Sequence, residues 1–356
     1  MAKKSSLTKG MTLLPHMCRR FDQVGRKLAF EAKTVEEWRL WHRKLRRKLK
    51  ELTGYSTMQK APLEPRVTER LKAGEFVRER VEIQTEPGVI MPLYAIRLRS
   101  LEGKRLPAIL CPHGHGSGGK VSVAGVAQTP EVAEAIRGFN YDYGLQFARA
   151  GFITFCPDAR GFGERREHPD IDLMHSSCGY INNMAIPLGQ TVTGMWAWDL
   201  SRLIDYIRTR EDCLPGGVGC AGLSGGGLQT LWVSALDERV RCAVISGYLY
   251  GYKESLLVMH GNCSCNYVPH LYEHVDMGDV GALIAPRPLV VETGTEDGLN
   301  GASGLGNVKP QVAIMRRAYR LLGAQKAVRH DVFEGGHRWR GEVAIPWMKR
   351  WMPRIA

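Results

Sequence analysis

The sequence predicts an α/β chain: a mostly parallel sheet of eight strands with helices on both faces, preceded by an accessory helical segment. The first observation behind this is that, from residue 107 to 351, short apolar strands alternate with helical stretches, a rhythm that requires parallel pairing between helix layers. The second is that residues 76–84 and 91–98 alternate apolar with polar side chains around the turn Glu86-Pro87-Gly88, as an antiparallel edge pair does. The third is a shift in charge. Residues 1–60 hold 16 Lys and Arg against 5 Asp and Glu, most of the net +13, so the basic character belongs to an N-terminal segment and not to the body.

That segment, taken as residues 1–65, contains one clear helix. Thr34 is placed to cap it and Glu37 to complete a capping box. Trp38, Trp41, Leu45, Leu49 and Leu52 follow at helical spacing, and Gly54 offers a stop. Arg43, Lys44, Arg46, Arg47, Lys48 and Lys50 fill much of the rest. The apolar stripe must be covered, so the helix is expected to dock on the catalytic domain, residues 66–356. Its charges read as a solvated face in preference to a nucleic-acid or membrane surface. The start of the chain has no apolar run of signal-peptide length, and no later stretch approaches the ~18 apolar residues of a membrane span. Nine cysteines without framework spacing suggest reduced thiols and a cytoplasmic protein.

In the body, the expected strands are 76–84, 91–98, 107–111, 152–156, 217–221, 240–245, 287–292 and 327–333. The helical candidates are 140–150, 193–210, 225–235, 308–322 and 340–351. Two irregular stretches, 157–190 and 247–280, are expected to form lid or pocket walls at the sheet's C-terminal edge, where open α/β sheets bind ligands. No internal repeat is visible.

The chemistry centres on Gly222-Leu223-Ser224-Gly225-Gly226, between a strand and a helix. This is the G-x-S-x-G nucleophile elbow of the α/β-hydrolase fold in the context it needs. Glycines permit a sharp turn, the turn lifts the serine hydroxyl above the sheet, and the helix N-terminus leaves N–H groups free. In this fold an acid and then a histidine should follow. Asp297 lies on the loop after strand 287–292, with Glu296 and Glu292 as competing acids, and His337, the last histidine, lies after strand 327–333. The expected triad is therefore Ser224, Asp297 and His337. The oxyanion donors are assigned to the backbone N–H of Gly225 and of His115, the latter in the loop Pro112-His113-Gly114-His115-Gly116.

Other groups carry weaker signals. Arg160 and His113 are candidates to contact substrate. Arg160 has the alternative of holding its loop through an acid such as Asp158, and His113 that of a packing group. His260, Cys263, Cys265, His270 and His274 include metal-ligating types, but their spacing fits no common zinc pattern, so no metal and no cofactor is expected. The sequence has no H-E-x-x-H, no G-x-x-x-x-G-K-[ST] and no strand followed by G-x-G-x-x-G, which argues against metalloprotease, P-loop and dinucleotide chemistry.

From about residue 76 the chain resembles the bacterial α/β-hydrolases related to acetyl xylan esterases and dienelactone hydrolases. The likeness rests on Thr85 to Val89, the His113-Gly114 loop, Asp158 to Arg165, Trp198-Asp199, Gly222 to Gly226, Ala285-Pro286-Arg287-Pro288 leading to Asp297, and Gly335-Gly336-His337. The resemblance implies hydrolysis of carboxylic esters, often acyl groups on carbohydrates or small molecules. The dienelactone enzymes use a cysteine nucleophile where this elbow has Ser224, so their reaction does not carry over. A peptidase or amidase, a carbon–carbon bond hydrolase, or a non-catalytic binding protein using the basic helix are the alternative functions. Homo-oligomerisation is left open.

Overall fold

A computed structural model describes residues 11–168, 172–259 and 262–352. The sheet has nine strands: β1 (Arg66–Ala73), β2 (Phe76–Glu86), β3 (Val89–Leu98), β4 (Ala108–Leu110), β5 (Ile153–Pro157), β6 (Val218–Leu223), β7 (Val240–Ser246), β8 (Leu289–Gly294) and β9 (Val328–Phe333). Their order across the sheet is β1-β2-β3-β5-β4-β6-β7-β8-β9. Strands β4 to β9 run parallel to one another, and β1, β2 and β3 form an antiparallel flank that joins the edge of this set at β5.

The eight expected strands are all present, and β1 is the addition. Every residue of Arg66–Ala73 is exposed, so the strand has no apolar face to announce it, and its ladder runs to β2 alone. The helix expected over 140–150 is Tyr143–Arg149, and an unexpected helix, Pro130–Phe139, capped by Thr129, precedes it and ends at Asn140 in the left-handed conformation.

The basic helix spans Val35–Leu52. Glu37 N–H donates to Thr34 Oγ1 at 3.2 Å and Thr34 N–H to Glu37 Oε2 at 3.3 Å, the reciprocal box expected. Leu45 and Leu49 are fully buried, in the same core cluster as β6, β7 and β8. The contacts lie mainly against the helix Gly225–Leu236: Arg46 donates to the Leu236 carbonyl at 2.9 Å and pairs with Glu238. His42 Nε2 lies 3.2 Å from the Leu283 carbonyl oxygen. A further helix, Leu14–Val24, precedes it and carries no buried residue. Among the described residues no helix is long and apolar enough to cross a membrane.

Candidate active site

The elbow forms because β6 ends at Leu223 and the helix Gly225–Leu236 begins with only Ser224 between them. Ser224 takes φ 60° and ψ −121°, a region an L residue enters only when its surroundings hold it there, at a cost of about 1–3 kcal/mol. The holding is visible: Ser224 N–H donates to the Ser246 carbonyl on β7 at 2.9 Å. A Cβ at Gly222 would lie 2.5 Å from the Gly226 carbonyl, so only glycine closes this turn.

On the loop after β8, Asp297 is buried and Glu296 is exposed. Asp297 Oδ1 accepts the Leu299 N–H at 2.9 Å and Oδ2 meets His337 Nδ1 at 2.7 Å. The Asp297 carboxylate is 1% exposed and the imidazole 25%, so one end of the ring is gripped in the interior and the other opens outward. The ring lies over Gly247, where a Cβ would sit 2.8 Å from His337 Cε1. Glu292, the other competing acid, stays within β8, and its Oε1 accepts the Gly341 N–H.

Ser224, Gly225, Asp297, His337 and His115 all line one cavity of about 590 Å³, walled further by Phe139, Tyr141, Tyr248 and Tyr250. The aromatic wall was not read from the sequence; it comes from the two separated helices near 140 and from the chain leaving β7. Of the two irregular stretches expected to wall the pocket, 247–280 does so through Tyr248, Tyr250, Asn262, Cys263 and Asn266. No described residue of 157–190 lines it. That stretch lies one layer behind, where Cys178 touches His115 and Cys263.

The loop after β4 is drawn tightly onto the elbow. Gly114 N–H donates to the Tyr141 hydroxyl at 2.9 Å, Gln229 Nε2 donates to the His113 carbonyl at 2.7 Å, and a Cβ on Gly114 would lie 2.8 Å from Gly225 N. Gly225 is the first residue of its helix, where an N–H has no carbonyl partner within the helix.

Two candidate substrate contacts lie elsewhere. Arg160 is committed to carboxylates on neighbouring elements, Asp199 of the helix Val192–Ile207 at 2.8 and 3.0 Å and Glu86 of β2 at 2.8 Å, and does not line the cavity. Its partner is Asp199, not Asp158, which pairs instead with the buried Lys120 at 2.6 Å. The Asp199 carboxyl, despite burial, is held well below the usual range by Arg160 and Arg165. His113 is fully buried, with Nδ1 3.0 Å from the Gly114 carbonyl and Nε2 accepting the Ala159 N–H at 3.1 Å; burial pushes its pKa down, so it serves the loop as a neutral ring.

The cluster of cysteines and histidines also divides. His260 lies outside the described residues, and His270 is exposed and bonded to Glu273 at 2.8 Å. Cys263 and Cys265 meet neither His270 nor His274; they converge with Cys178 on His115.

The model of the Abhydrolase family matches residues 17–335, so the likeness begins well before residue 76 and takes in the basic helix. The protein YtaP of Bacillus subtilis (strain 168), named as a hydrolase, is 26% identical over 273 residues, which cover 73% of this chain and 83% of that protein. Among solved structures, a Bacteroides fragilis NCTC 9343 protein described as an acetyl xylan esterase superposes with a TM-score of 0.78 at 17% identity, covering 96% of this chain and 95% of its own. A glucuronoyl esterase from Solibacter usitatus gives 0.66 at 16% identity, covering 91% and 97%.

Proposed function

Since this chain belongs to the Abhydrolase family, we propose that it is a serine carboxylic ester hydrolase working through an acyl-enzyme. One observation carries the reading: the Asp297–His337 pair, 2.7 Å apart, opens onto the same cavity as the strained Ser224. Asp297 fixes the Nδ1–H tautomer of His337, leaving Nε2 as the base. Ser224 Oγ attacks the ester carbonyl carbon as its proton passes to His337 Nε2. The carbonyl oxygen becomes an oxyanion facing the N–H groups of Gly225 and His115, and each such donor contributes about 3 kcal/mol to lowering the barrier. Collapse expels the alcohol, protonated by His337. Water, deprotonated by the same ring, then attacks the acyl-enzyme and releases the acid.

The structural neighbours described as acetyl xylan and glucuronoyl esterases support an acyl or uronoyl ester on a carbohydrate, or a related small-molecule ester, as the substrate class. No described feature favours an amide or carbon–carbon substrate over an ester, and an ester and amide sharing one acyl group would separate those reactions.

The test is labelling with a fluorophosphonate and location of the adduct by mass spectrometry, with an aryl ester assay in parallel. The adduct is expected on Ser224, and Ser224→Ala should lose both label and turnover. Equal turnover by the variant, with no adduct on the parent protein, would remove the serine mechanism.

A further inference from the structure

Four side chains from three separate segments bring soft donor atoms to one point beside the cavity. We propose that His115, Cys178, Cys263 and Cys265 form a Cys3His site for a structural zinc ion. The four donor atoms all lie within 4.8 Å of one another. Cys178 Sγ is 3.3 Å from His115 Nε2 and 3.2 Å from Cys263 Sγ, and Cys265 Sγ is 3.5 Å from the same Nε2. Zinc bonds of about 2.3 Å to sulfur and 2.0–2.1 Å to nitrogen place the corners of a tetrahedron roughly 3.5 Å apart, which is the scale of these separations. Three thiolates and an imidazole form a set that selects zinc over magnesium or calcium, whose ligands are oxygens.

The surroundings suit such a centre. Asn266 Nδ2 points at Cys265 Sγ from 3.6 Å and the Ser176 hydroxyl at Cys178 Sγ from 3.4 Å, polar groups of the kind that orient and moderate thiolate ligands. His115 turns Nε2 to the sulfurs while Nδ1 lies against Gly225, where a Cβ would come within 3.1 Å of it. The imidazole is further held edge-on by Phe162, with ring centroids 5.1 Å apart. Four protein ligands complete the coordination of zinc, so the ion would act as a clip and not as a Lewis acid with an open position.

His115 follows β4, Cys178 opens the helix Cys178–Ala185 in the stretch behind the cavity, and Cys263 and Cys265 belong to the stretch that walls it. The two irregular stretches have few ladders of their own. Zinc would fix both to the loop beside the elbow, as a structural metal does where secondary structure is sparse. The inference stands on the donor geometry and does not depend on the reaction.

The experiment is elemental analysis and native mass spectrometry of the full-length protein purified without chelators. Zinc bound at one ion per chain is expected, released on titration of thiols with an organomercurial. Cobalt-exchanged protein should show thiolate-to-cobalt charge transfer in the near ultraviolet and the intense visible bands of a tetrahedral site. Cys178→Ser and Cys265→Ser should lose the metal, and His270→Ala and His274→Ala should keep it. The cobalt spectrum and metal count of the unaltered protein decide the matter even where a cysteine variant does not fold. A protein free of zinc that shows no tetrahedral cobalt spectrum, or one with Cys178 and Cys263 joined in a disulfide on non-reducing peptide mapping, would overturn the proposal.

Discussion

At the scale of single residues, the question is which acid orients His337. Three carboxylates precede it on β8 and its loop, and the sequence could only rank them. Burial separates them: Glu296 is exposed, Glu292 points into the sheet, and Asp297 alone reaches the imidazole. Asp297→Asn should therefore leave the fold intact and lower kcat by about 10³–10⁴-fold, the size of a lost tautomer lock. Glu296→Gln should be silent in the same ester assay; damage there would reassign the acid. Gly114 gives a second residue-level prediction. Its missing side chain lets the loop after β4 come against the elbow, and a methyl group there would lie 2.6 Å from the Tyr141 hydroxyl and 2.8 Å from Gly225 N. Gly114→Ala should push the loop off by a fraction of an ångström to an ångström. Displacement on that scale is expected to cost on the order of 10²-fold in kcat with a smaller change in KM. Unchanged kcat would show that this contact does not position the proposed oxyanion donors.

At the scale of elements, legibility followed burial. The parallel strands were readable because both faces are covered, which leaves continuous apolar runs such as Val218–Leu223. The basic helix was readable because a capping box and a one-sided stripe coincide over Val35–Leu52. Strand β1 was not, since all of its residues face solvent and its charges alternate with isolated apolar groups. The proposed triad could be named because strand–loop order places each candidate member. The cluster of His115, Cys178, Cys263 and Cys265 was not, because its members lie up to 150 positions apart and local spacing pointed to His270 and His274 instead. The capped helix carries a prediction of its own. Thr34→Ala removes the acceptor for Glu37 N–H and leaves a helix-end donor without its partner, a loss of about 1 kcal/mol. Because Leu45 and Leu49 belong to the main core, the loss should appear in a single global transition measured by calorimetry. A separate early transition would mean that the segment melts independently of the sheet.

At the scale of the whole molecule, Glu292 contributes a loss of stability that grows as pH rises from about 4 to about 7. Its side chain stands on β8, next to the edge strand, between Ser246 of β7 and Asp331 of β9 in register, and is wholly buried. One carboxyl oxygen accepts the Gly341 N–H at 3.0 Å and the other has no partner among the described residues. Burial, reinforced by the charge of Asp331, pushes its pKa up to about 7, against about 4.3 for the same group in an unfolded chain. Below pH 4 both states hold the proton and nothing is lost. Between the two values the native state keeps a proton that the unfolded chain releases, so each rise in pH favours unfolding. Above 7 the full penalty is present, on the order of 3 kcal/mol. Glu292→Gln keeps the acceptor for Gly341 and removes the charge. It should raise Tm over the parent protein at pH 8 and converge with it near pH 4.5, as followed by differential scanning calorimetry. Gly341 stands four residues beyond His337, so the same carboxyl ties β8 to the loop that carries the proposed base. A variant less stable than the parent at pH 8 would show that the ionised carboxylate is the form the sheet was built around.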